Sequence, residues 1–187
     1  MICVVLGGCN AGRFEGGILY PIDSLLNAQV HFLAKSQATL TKVMALDSQR
    51  TESVFKLADT TAWQKELEIF QMLDAINKPI NRDLYHHNSY ADARSNLTVE
   101  AFTTSASHVP VQQLKVFYQQ TPRRIKRLEG VYREMNSLYQ GTRFLTMEFQ
   151  QLAGQPILTA YSIEGGQKMV FRDSVHYSIS GALVFNE

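Results

Sequence analysis

The sequence predicts an α+β fold in which two helices pack against a curved antiparallel meander sheet, an arrangement whose limiting form is an incomplete barrel. Three observations carry that reading. From Leu97 to Phe185, stretches of strand-like composition follow one another with only short polar or Gly/Pro breaks between them. Two of these stretches alternate cleanly: Leu145, Met147 and Phe149 oppose Thr146, Glu148 and Gln150, and Val175, Tyr177 and Ile179 oppose His176, Ser178 and Ser180. Alternation of this kind marks an antiparallel sheet with one buried face, since buried parallel strands read as continuous apolar runs. Finally, no helical pattern interrupts the strands, so only helices upstream can cover the apolar face.

Taken in order, Pro21 is pre-set for a first helical turn and Asp23 suits the positive end of the helix dipole. Ile22, Leu25, Leu26, Val30 and Leu33 then recur at helical spacing, which predicts a helix from about Pro21 to Lys35. Ala38 to Leu46 and Thr51 to Leu57 turn strand-like around a polar break, which predicts a hairpin. A second helix starts at Asp59, Thr60 and Thr61, which offer N-caps. It carries Trp63, Leu67, Phe70 and Leu73 on one stripe and ends before Asn77 and Pro79. Pro79 to Ser95 has no clear period and reads as loop. Strands are expected at Leu97 to Thr103, Val111 to Gln119, Arg124 to Glu134, Thr142 to Gln150, Ile157 to Ile163 and Val175 to Val184. Turn residues at Thr121-Pro122, Asn136-Ser137, Gly154-Gln155-Pro156 and Gly165-Gly166 separate them.

Composition narrows the function classes without choosing one. A chain of 187 residues with 45% hydrophobic and 19% charged residues is long enough for one well-filled domain, here residues 21–187. The formal charge of +1 lacks the basic excess of a general nucleic-acid binder, and no nucleic-acid partner is expected. Both cysteines, Cys3 and Cys9, precede the domain, so a disulfide could cross-link none of the core. No stretch reaches the ~18 consecutive apolar residues of a membrane-spanning helix.

The N-terminus carries the most specific signal. Leu6-Gly7-Gly8-Cys9 follows an apolar run and resembles the lipobox of bacterial lipoproteins. The resemblance implies that residues 1–8 are signal-peptide-like and are removed, and that Cys9 is acylated. Residues 9–20, with Gly12, Gly16 and Gly17, would then form a tether to the membrane. The run lacks a charged n-region and is shorter than an ordinary apolar h-region of about 7 to 15 residues. Either the true start lies upstream, or Val4 to Leu6 belong to a buried strand and the protein is cytoplasmic. Layout, together with the stretch Tyr161 to Met169, resembles the small uncharacterised lipoproteins of the Gram-negative envelope. More loosely, it is similar to the incomplete-barrel fold of lipoprotein carriers. The first resemblance implies an outer-membrane address, because Asn10 is not the aspartate that retains such proteins in the inner membrane.

Candidate sites follow from these readings. Cys9 is the lipidation site and the membrane its partner. Trp63 and Phe70 are the candidate walls of a ligand pocket between helix and sheet, with packing anchors as the plainer alternative. Arg123, Arg124, Lys126 and Arg127 put four cations in five residues, a candidate contact for anionic headgroups or simply a solvated strand start. His86 and His87 are adjacent and would point to opposite faces of an extended chain, so they are not expected to chelate one metal ion. Gly-x-Ser-x-Gly is absent, the Walker spacing is absent around Gly165-Gly166-Gln167-Lys168, and no catalytic residue or cofactor is expected. The sequence thus points to a non-enzymatic binding or assembly module of the envelope. Its alternatives are a carrier of an apolar ligand in a half-barrel pocket and a soluble intracellular interaction domain.

Overall fold

The computed structural model describes residues 17–47, 49–135, 139–169 and 174–185, and of Met169 the backbone only. Cys3, Cys9 and the expected break at Asn136-Ser137 lie outside the described residues. The described elements begin with α1 (Ile22–Lys35), the hairpin strands β1 (Thr39–Leu46) and β2 (Gln49–Lys56), and α2 (Thr60–Gln71). A 3-10 turn (Met72–Asn77) and the short α3 (Pro79–Arg82) follow. Then come β3 (His86–Ala91), β4 (Thr98–Thr103), β5 (Val111–Tyr118), β6 (Ile125–Met135), β7 (Tyr139–Leu152), β8 (Gln155–Met169) and β9 (Val175–Val184).

Among the described residues nine strands form one open antiparallel sheet in the order β2-β1-β9-β8-β7-β6-β5-β4-β3. The expected meander therefore stands, extended at one end by β3 and at the other by the β1–β2 hairpin, which returns to pair β1 with β9. One face of the sheet, the inner face, meets the helices. Along β7 the inner residues are Leu145, Met147 and Phe149, all buried as alternation predicts. Along β9 the pattern is right but the burial is not. Val175 is exposed and Tyr177 and Ile179 are only partly covered.

The helices form where capping and periodicity place them. Asp59 caps α2 by accepting the Ala62 backbone N–H at 2.8 Å. The buried stripe Trp63, Leu67 and Phe70 continues as Leu73 and Ile76 in the 3-10 turn, and on α1 the stripe is Ile22, Leu26, Val30 and Leu33. One polar residue shares that α1 stripe. The Gln29 amide is buried, accepts the Leu158 backbone N–H at 2.8 Å and donates to the Pro156 carbonyl at 2.9 Å. It thus satisfies two main-chain groups at the start of β8, near the bulge where β7 and β8 slip register.

Two expectations are corrected. Pro79 to Ser95 is not all loop: His86–Ala91 pairs with β4 as an edge strand. Gly165-Gly166 is not a hairpin turn: β8 runs straight through both glycines to Met169. The tight turn between β7 and β8 is Ala153-Gly154, both with positive φ, the geometry a two-residue hairpin favours.

Candidate functional site

The glycines of β8 lie in a part of the sheet where both faces carry distinctive chemistry. Gly165 lies opposite Tyr177 of β9, and Gly181 of β9 lies opposite Tyr161 of β8. On the inner face each tyrosine ring covers the glycine across from it, so that an added Cβ would fall inside the ring. Gly166 points to the outer face, between Thr142 of β7 and His176 of β9. There an added Cβ would meet only the edge of the His176 ring, at 3.1–3.2 Å. Gly166 lines an open cleft of about 760 Å³ over β7, β8, β9 and the end of β1.

The cleft is lined by Phe144, Thr142, Glu164, Lys168, His176 and Ser178, among others. Phe144 is 53% exposed on a strand whose inner-face neighbours are buried, an aromatic ring left in water beside opposite charges. Asp47, at the β1–β2 turn, ties the cleft's corner: its backbone N–H donates to the His176 carbonyl at 3.1 Å, and its carboxylate accepts the His176 backbone N–H at 3.4 Å. The carboxylate thus holds the main chain of His176. Chemically the cleft offers an apolar anchor, hydroxyls, the amides of Gln140 and Gln167, the cation Lys168 and the two carboxylates of Asp47 and Glu164. Such a set of groups could bind a polar chain segment that carries an apolar side chain. Among the described residues no group of three His, Cys, Asp or Glu side chains is placed to hold a metal ion.

Beneath the cleft, on the inner face, Arg143 braces the same strands. Its Nε donates to the Tyr177 hydroxyl at 3.1 Å, its Nη2 lies 3.2 Å from Glu134, and it stacks 5.8 Å from the Tyr132 ring. Burial works against the guanidinium's charge, but the Tyr177 hydroxyl and the Glu134 carboxylate outweigh it and raise its pKa. Tyr139 also donates to Glu134, at 2.9 Å, and that bond to a carboxylate raises its phenol pKa. The arrangement fixes Tyr177 over Gly165 and so holds the floor of the cleft.

The interior between helices and sheet is closed. Trp63 and Phe70 have no accessible surface, and a side chain with none borders neither solvent nor a water-sized void. In this conformation the two candidate pocket walls are packing groups, Phe70 edge-on to Tyr161 at 5.7 Å. The Trp63 indole N–H has no hydrogen-bond partner among the described residues. A polar clasp locks the cover: Glu66 of α2 pairs with Lys42 of β1 at 2.7 Å and accepts the Tyr161 hydroxyl. Burial, then the bond to Glu66, pushes the Tyr161 phenol far above its ordinary pKa.

The basic cluster is spread along the β5–β6 turn and the start of β6. Arg123 and Arg124 are exposed, with Arg124 donating to Gln120 at 2.6 Å. Lys126 is half-buried, and Arg127 lies 4.1 Å over the Phe117 ring while pairing with Glu129 at 2.9 Å. His87 stacks on Phe102 at 4.8 Å instead of standing in a solvated loop. Sequence reasoning missed the cleft because it placed Gly165-Gly166 in a turn. The signal that could have found it is a Gly-Gly pair flanked by alternating strand on both sides. No protein-family model matches this chain, and no curated protein matches it.

Proposed function

We propose that this chain is a lipid-anchored protein of the Gram-negative outer membrane, acylated at Cys9, that acts as a non-enzymatic binding or assembly module. The cleft over Gly166 carries the reading: it is an open, chemically mixed surface on the bare face of the sheet, while Trp63 and Phe70 on the helix-covered side are fully buried. The partner is an envelope protein that seats an apolar side chain against Phe144, with Glu164 and Lys168 setting its orientation. The open sheet, with β2 and β3 as its edges, curves around the helices as an incomplete barrel. A carrier of apolar ligands would need α1 and α2 to part from the sheet and break the Lys42–Glu66–Tyr161 clasp, so carriage is the lesser role.

Two experiments test this. The intact mass of the N-terminal peptide from protein purified out of native cells, membrane fraction included, should show an acylated Cys9. An unmodified Met1 or Ile2 terminus in the soluble fraction would replace the envelope reading with that of an intracellular module. For the cleft, a photocrosslinking amino acid at position 144 should give a discrete adduct in native cells that Lys168→Glu weakens. An adduct that ignores Lys168→Glu would place binding elsewhere.

A further inference from the structure

We infer that the end of the molecule where the tether joins the domain is itself a membrane-contact surface, in which Ile80 and Ile18 enter the interface of a lipid bilayer. Its placement at a bilayer rests on the acylated Cys9 proposed above; its chemistry does not. Ile80, in the short α3, is 79% exposed, and Ile18 is 69% exposed. Leu84 adds a third exposed apolar side chain just beyond α3. Single exposed apolar residues are ordinary on protein surfaces. These are not scattered, because hydrogen bonds fasten the two segments together. Asn77 Oδ1 accepts the Leu19 backbone N–H at 2.9 Å, Asn77 Nδ2 donates to the Tyr20 carbonyl at 2.7 Å, and Arg82 Nη1 donates to the Gly17 carbonyl at 3.1 Å. Ile18 is thereby held beside the 3-10 turn and α3 on a fixed support, with the buried Asn81 amide donating to the Ala75 carbonyl underneath at 2.9 Å.

The length of chain outside the described residues selects the occupant. From Cys9 to Gly17 is a span that reaches at most about 28 Å when fully extended. An acyl chain on Cys9 therefore keeps Gly17, and the isoleucine next to it, close to the bilayer. Charge there is nearly balanced: Arg82 lies 3.9 Å from the exposed Asp83, and Lys78 shares this end with Asp74, which accepts the Asn77 amide, and with the first-turn Asp23. Contact accordingly depends on apolar insertion more than on anionic headgroups, unlike the role first expected for Arg123 to Arg127.

The test places an environment-sensitive fluorescent amino acid at position 80, 18 or 54 of the full chain, the last on β2 and equally exposed. Each protein is mixed with vesicles of phosphatidylethanolamine alone or with phosphatidylglycerol, and its N-terminal mass is recorded. The expected result is a blue shift and protection from aqueous quencher at 80 and 18, none at 54, and little difference between the two lipid compositions. Flotation of a Cys9→Ser chain, in which no acyl group can act, should fall about tenfold on Ile80→Asp, the size expected for losing a largely buried aliphatic side chain. A vesicle-bound protein whose position 80 is as accessible to quencher as position 54 would overturn the inference. So would a shift at 80 without lipid that tracks self-association, which would assign the patch to a second copy. A free Cys9 with the lipid-dependent shift retained would defeat the anchor reading alone; a free Cys9 with no shift would defeat both.

Discussion

The two faces of β7, β8 and β9 have the same backbone and nearly opposite physics. On the inner face three glycines are covered: Tyr177 lies over Gly165, Tyr161 over Gly181, and Leu73 of the 3-10 turn presses on Gly130 of β6. On the outer face Gly166, one residue from Gly165, meets only the edge of the His176 ring closely and lines the cleft. The same residue type thus serves packing on one side and access on the other. The helices decide which, since they supply the cover for the inner face alone.

The sharpest way to break that comparison is to hollow the inner face. Phe70→Ala should cost about 3–5 kcal/mol in chemical denaturation, whereas Phe144→Ala on the outer face should stay within about 0.5 kcal/mol of the parent. A similar cost at both positions would mean the outer aromatic is also core. Next in size is Gln29→Ala, which strands the buried Leu158 N–H and the part-buried Pro156 carbonyl; the expected loss is about 2–4 kcal/mol, roughly 1–3 for the buried N–H and less for the carbonyl, which water can reach. Smaller again is the glycine contrast: Gly165→Ala should destabilise by about 1–3 kcal/mol because the Tyr177 ring is pinned by Arg143, while Gly166→Ala should cost less than about 0.5 kcal/mol because His176 can turn away.

Much of this was legible locally. β9 was predicted to the residue, and Asp59 was among the residues read as caps for α2, because alternation and caps are written within a few positions. What was missed has non-local causes. His86–Ala91 carries no apolar alternation, since an edge strand lying mostly in water needs none, and its pairing comes from β4. Gly165-Gly166 has turn composition and stays extended because Tyr177, twelve residues on, fills the space over Gly165. The exposure of Val175 reflects where the helical cover stops, which no strand pattern encodes. Nothing local marks Gln29 as part of the core, because its partners lie well over a hundred residues away. For the site, the sequence supplied the residue types, and only the register brought Thr142, Gly166 and His176 side by side.

The smallest predicted effect concerns pH. The Tyr161 phenol is raised in the folded state, so its contribution to stability is complete below the unfolded phenol value of about 10 and is lost progressively as pH climbs from there. Tyr20 and Tyr85 are raised by burial in the same direction. Tyr161→Phe should therefore unfold with a shallower dependence on pH above about 10 than the parent, as followed by circular dichroism.

The central claim is that recognition belongs to the outer cleft and not to the interior under the helices. Photocrosslinking in native cells, with the probe at Phe144 in one strain and at Ile69 on the partly buried flank of α2 in another, tests it most directly. A discrete adduct is expected from position 144, weakened by Lys168→Glu, and none from position 69. An adduct to an apolar small molecule from position 69, with position 144 silent, would contradict it and put a carrier's cavity beneath the helices.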